Sequence, residues 1–178
     1  FCSHEMRVMT DFFTRPTRIY STNLIRLWKE NESSALPFIN LKDLAELKKT
    51  NREKDYVIIG EIARLMKDPM EQILYSRSAL DIIDLAQKYP GPFQEAMKQR
   101  PLLAKFSEGR EKLEELLDKE KRDLIHANEK RLAIYVNAAA KWTALWPAVD
   151  KEISSMPLIK AHRYLIQRIE GILPFSPA

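Results

Sequence analysis

Cysteine, glycine and histidine are scarce: the 178 residues hold one, four and three of them. A lone thiol, Cys2, excludes an intrachain disulfide and leaves no cysteine-based zinc site, which fits a reducing compartment. His4, His126 and His162 lie far apart, without a second ligand at helical or loop spacing, so none is assigned to a metal. No stretch approaches the roughly 18 consecutive apolar residues of a membrane span, and no charged-then-apolar leader opens the chain. A cytoplasmic protein with no membrane partner is expected. Charge of one sign is also in short supply, since 29 Lys and Arg face 25 Asp and Glu, a net of +4. Attraction to phosphate would have to come from clustering, because the net field is weak.

What is present is 45% apolar and 30% charged residues, the composition of a largely helical globular chain long enough to bury a core. It begins with Phe1 rather than Met and quickly enters a strand-like segment, which raises the expectation that it is the later part of something longer. Residues 5–13 alternate partially around Val8, Phe12 and Phe13 and read as a short strand, and 36–39 as a second. Between them, Ser21 or Thr22 can cap a helix through Leu24, Leu27 and Trp28.

Asn40 is a good N-cap for a helix carrying Leu41, Leu44 and Leu47 on one face to about Lys49. After a turn at Thr50 and Asn51, Tyr56, Ile59, Ile62, Ala63 and Met66 mark a second amphipathic helix that Pro69 closes. Ser78 caps a helix over 79–88, the residues Tyr89, Pro90, Gly91 and Pro92 force a turn, and short helices follow around 93–97 and after Pro101. From Arg110 an apolar spacing of three to four runs to Pro147, giving one helix of about 35 residues or two with a break between. Its mixed-charge centre, 118–131, faces water or crosses a gap. Trp142 and Trp146, four apart, are expected to pack inside. Pro157 opens a last helix toward Gly171.

The most distinctive stretch is the charged turn between the paired helices, with Lys48, Lys49, Arg52, Glu53, Lys54 and Asp55. Two readings stand. Lys48, Lys49, Arg52 and Lys54 could hold a phosphate-bearing substrate, a nucleotide or RNA, as basic groups at a turn steer polyanions. Alternatively, Arg52 and Asp55 pair with neighbours and fix the angle between the helices, the interspersed Asp43, Glu46, Glu53 and Asp55 diluting a phosphate site.

The run LKDLAELKKTNREKDYVIIGEIARL is similar to a signature of bacterial nucleotidyltransferase-like proteins, at Asp43, Leu44, Lys48, Lys49, Thr50, Arg52, Lys54, Asp55 and Tyr56. Asp11, Phe12, Phe13, Thr14 and Arg15 resemble a strand of the same proteins, and LIRLWKE the helix after it, so the likeness spans roughly 7–86. The resemblance implies a small mixed sheet flanked by helices and then a helical region. The expected class is therefore mainly α with an α+β beginning: two or so short strands, then a helical bundle with one long helix. Residues 1–68 would be a remnant of the α/β part and 69–178 the helical region.

The family's chemistry, as the resemblance implies it, needs a Gly-Ser turn, an Asp-x-Asp pair and a third carboxylate to hold magnesium and a nucleoside triphosphate; Asp11 is either that third carboxylate or a strand-end residue facing water. No glycine of this chain precedes a serine, and no Asp-x-Asp occurs. Magnesium is expected only if the missing carboxylates are supplied, and the chain as given is expected to position substrate rather than transfer nucleotides. The rival expectation is a non-enzymatic helical module that binds a partner protein or itself, through a strand edge or the long helix.

Overall fold

Three of the helices begin where a side chain, Asn40, Asp68 or Ser78, receives a backbone N–H group that the first turn leaves over. The computed structural model describes residues 19, 21–33 and 38–173. Helix α1 covers Ser21–Asn31, α2 Leu41–Leu47 and α3 Glu53–Leu65. Asn40 Oδ1 accepts the Asp43 N–H at 2.8 Å, as its position ahead of the Leu41 stripe predicts. Helix α3 buries Tyr56, Ile59, Ile62 and Ala63, the face read from its periodicity, and with them Asp55, which that stripe did not include.

Pro69 does not close that helix. Helix α3 ends at Leu65, and Pro69 is the first residue of α4, Pro69–Tyr75, with Asp68 accepting the Met70 N–H at 3.0 Å. A proline at that place loses nothing, because its missing N–H would have had no helical partner. Ser78 caps α5, Ala79–Lys88, as expected, with Oγ accepting the Asp81 N–H at 3.2 Å. The expected turn at 89–92 shrinks to one residue, Tyr89, since Pro90 opens α6, Pro90–Gln99. Arg100 alone then separates α6 from a 3-10 helix, Pro101–Glu108. Gly109, at φ +97°, turns the chain into the next helix, in a conformation that L side chains rarely adopt.

Helix α7 runs over Arg110–Ala138 and α8 over Ala140–Ile153. Ala139 is the break, and backbone bonds cross it: its N–H donates to Tyr135 O at 2.9 Å and its oxygen accepts from Thr143 N at 2.9 Å. Pro147 was expected to end this helix and instead lies inside α8. Helix α9, Leu158–Ile169, follows Pro157.

The described residues are helical with one long helix, and no strand occurs among them. The expected strand at 5–13 lies outside them. Phe38 and Ile39, expected in the second strand, carry no regular structure, and Leu36 and Pro37 lie outside the described residues. Among the described residues no helix is long and apolar enough to cross a membrane.

The chain divides into two compact units, Phe1–Leu124 and Ile125–Ala178. In the first, Ile73, Ile82, Phe93, Leu103, Leu113 and Leu117 form one core joining α4, α5, α6, the 3-10 helix and the start of α7, with Phe93 edge-on to Phe106 at 5.1 Å. Each such side chain contributes about 1.5–3 kcal/mol on burial. Helices α3 and α4, on either side of the expected 68/69 boundary, pack against each other within this unit. In the second, α8 packs on α9, and Val149 and Asn128 are its buried residues among those described.

Candidate functional site

The charged turn is organised around two carboxylates. Asp55 is 1% exposed, although it stands in the first turn of α3. Its Oδ2 accepts from Thr50 Oγ1 at 2.5 Å and from Arg52 Nε at 3.0 Å, and Lys48 Nζ lies 3.8 Å from Oδ1. Thr50 Oγ1 in turn accepts the Arg52 N–H at 3.0 Å, and Tyr56 donates its hydroxyl to Thr50 O at 2.9 Å. Burial alone would raise the Asp55 pKa. The Thr50 and Arg52 hydrogen bonds, with the charges of Arg52 and Lys48, outweigh it and hold the carboxyl below its ordinary value.

Lys49 turns the other way, to Glu46 Oε1 at 2.6 Å, and its ammonium lies 5.1 Å from the centre of the Tyr75 ring. The Tyr75 hydroxyl also donates to Glu46 Oε1, at 2.5 Å, tying α2 to α4. Burial first, and then this acceptor, push the Tyr75 pKa up, so the phenol stays protonated. Lys54 is exposed on α3 and forms no ion pair among the described residues. The four cations singled out in the sequence therefore do not converge: Lys48 and Arg52 meet at Asp55, Lys49 sits on Glu46, and Lys54 stands apart. Asp11 lies outside the described residues.

A second charged centre escaped the sequence reading. Arg100, 6% exposed, donates to Glu120 through Nε at 2.9 Å and Nη2 at 2.6 Å, and through Nη1 to the oxygens of Ile73 and Ser76 at 3.0 and 2.9 Å. Arg77 also donates to Glu120 through Nη1, while its guanidinium lies 5.6 Å from the centre of the Tyr56 ring. Its buried Nε has no hydrogen-bond partner among the described residues. Burial, and then repulsion from Arg100, lower the Arg77 pKa. Burial would raise the Glu120 pKa, but hydrogen bonds and charge from the two arginines prevail and lower it. The available signal was local: Leu113, Leu117 and Glu120 share the buried face of α7, and a carboxylate there requires a cation.

Between α3, the start of α5 and the first turns of α7 lies a groove of about 490 Å³, reached by Lys54, Arg64, Arg77 and Lys121. Arg64 is paired with Asp81 at 2.7 Å and Glu61 at 2.7 Å, and Lys121 with Glu53 and Asp118, both at 2.8 Å. Acidic and basic groups thus alternate around it. No group of three His, Cys, Asp or Glu side chains able to hold a metal occurs among the described residues.

The second unit carries a different surface. Leu132, Ile134, Tyr135, Val136, Leu145, Trp146, Leu158, Ile159 and Ile166 are 40 to 84% exposed. Trp142 and Trp146 were expected inside. They contact each other at 5.9 Å between ring centres, with Trp142 half-buried and Trp146 exposed. No family model, curated protein or solved structure matches this chain.

Proposed function

We propose that the chain is a non-enzymatic helical interaction module, and that its charged turn is scaffold. The observation that supports this most is the second unit's surface, on which nine large apolar side chains stand exposed while two described residues are buried. Exposed apolar area on that scale marks a surface that another body covers. The turn agrees with this reading, because Lys48, Lys49 and Arg52 are engaged by Asp55 and Glu46.

A second reading keeps the nucleotidyltransferase-like resemblance, with the chain positioning a nucleotide or RNA. Lys54, exposed beside the groove and outside the ion-pair network of the described residues, favours it. Binding of labelled nucleoside triphosphate and of RNA to the purified chain separates the two. The module reading expects no binding to either, no metal-dependent nucleotide incorporation, and lowered melting in Lys48→Ala and Arg52→Ala. Affinity that is lost in Lys54→Ala at unchanged melting would reverse the choice.

A further inference from the structure

Helix α9 buries none of its residues. Leu158, at 84%, is the most exposed large apolar side chain among the described residues, and Ile159 and Ile166 are 70 and 55% exposed. At about 100° per residue, these three and the exposed His162 fall within an arc of about 100°. The half-buried Ala161, Tyr164 and Leu165 lie beyond one edge of that arc, and the exposed Arg163, Gln167 and Lys160 beyond the other. From Ile153 to Ile169 the chain holds Lys160, Arg163 and Arg168 and no Asp or Glu. Arg168 is paired with Glu152 at 3.5 Å, whereas Lys160 and Arg163 form no ion pair among the described residues. Arg163 stands four residues after Ile159 and three before Ile166, so its stem borders the apolar arc.

We infer that α9 lies along the surface of an anionic lipid bilayer, with Leu158, Ile159 and Ile166 below the headgroups and Arg163 and Lys160 among them. The inference rests on the interaction-module reading above and names the body that covers this part of its surface. Charge is the first observation that selects lipid. Two cations without a carboxylate partner border an apolar arc, the pairing that anionic headgroups over acyl chains complement, and each cation near such a surface strengthens binding about fivefold. Shape is the second. A leucine 84% exposed at the start of a helix stands out from its neighbours rather than lining a hollow, and protruding aliphatic side chains enter acyl chains without a matched pocket. A second copy of the chain fits this face less well, because it would bring the same basic edge against itself. The absence of a long apolar helix among the described residues excludes a helical span there, and lying on the surface requires none.

Co-sedimentation of the full chain with lipid vesicles tests this. The parent is expected to bind mixed phosphatidylserine and phosphatidylcholine vesicles about tenfold or more tightly than phosphatidylcholine alone. Arg163→Glu exchanges a cation for an anion and should weaken binding to the mixed vesicles about tenfold or more, and Ile159→Asp, which carries a charge toward the acyl chains, should do the same. Both side chains are exposed, and Ile159 is the second residue of α9, where a carboxylate suits the helix dipole, so the helical circular dichroism of the variants should match the parent. Val57→Asp, at a side chain of the first unit that is 67% exposed, should bind vesicles as the parent does. A parent that stays in the supernatant overturns the inference, and so does equal binding to the neutral vesicles. Binding that is indifferent to both α9 substitutions, or equally sensitive to Val57→Asp, overturns it as well. Capture by immobilised polyglutamate in place of vesicles, lost in Arg163→Glu, would give the helix to an acidic protein and overturn it too. RNA or nucleotide binding through Lys54 would instead refute the interaction-module reading and leave the vesicle result untouched.

Discussion

Thr50 Oγ1 donates to Asp55 Oδ2 at 2.5 Å and accepts the Arg52 N–H at 3.0 Å, so one hydroxyl links the end of the turn to a buried carboxylate. Replacing Asp55 by Ala removes the acceptor of both Thr50 and Arg52. The Arg52 side chain is 56% exposed and can return to water, so no buried charge is stranded there. Asp55→Ala should cost about 1–3 kcal/mol in urea denaturation, and Thr50→Val a smaller amount.

The same carboxylate sets an acid dependence. Asp55 titrates below 3.8 in the folded chain and Glu120 below 4.5. Their contributions are complete above those ordinary values and are lost as pH falls through the folded ones, so stability declines below about pH 4.5. Asp55→Asn removes one of the two groups. Its stability should fall less steeply than the parent's as pH drops below about 4, read from denaturation midpoints at fixed ionic strength. Equal slopes would show that the folded and unfolded values coincide.

Glu120 neutralises two arginines at once. Glu120→Gln leaves Arg77 and Arg100 together without a counter-charge and should cost about 3–5 kcal/mol. Arg77→Met keeps the Arg100 pair and removes both the like-charge repulsion and the unpartnered Nε, so its cost should stay below about 1 kcal/mol. Chemical denaturation of the two variants gives the ranking, and the reverse order would mean that Arg77 is the essential partner.

Gly60 lies within α3 where a Cβ would come 3.3 Å from Arg77 Cβ. Alanine gains about 0.5–1 kcal/mol of helix propensity there and loses much of it to that approach, so Gly60→Ala should be near neutral. Gly60→Val must displace the Arg77 stem and should cost about 1–3 kcal/mol in thermal or urea unfolding.

Much of the helical layout was legible because its signals are local. Asn40 and Ser78 cap the helices that follow them, and the stripe from Tyr56 to Ala63 is the buried face of α3. Proline was the weak point. Pro69 and Pro90 stand between two helices, and sequence spacing alone does not say whether such a residue ends the first or opens the second. Pro147 sits in a helix whose neighbouring bonds hold it. Of the charged centres, the pairing of Arg52 with Asp55 was readable at a separation of three residues. Arg77, Arg100 and Glu120 are 20 to 43 residues apart, and only the fold brings them together.

Tyr89 and Arg100 each form the whole connection between the helices they join, and three residues, Ser76, Arg77 and Ser78, part α4 from α5. This stretch holds no slack. One added residue within α5 or α6 would turn the residues after it by about 100° about that helix's axis, taking Ile82 or Phe93 off the buried face. Length, more than residue identity, is therefore what this part of the protein can least afford to change, and protease should find few sites to cut there.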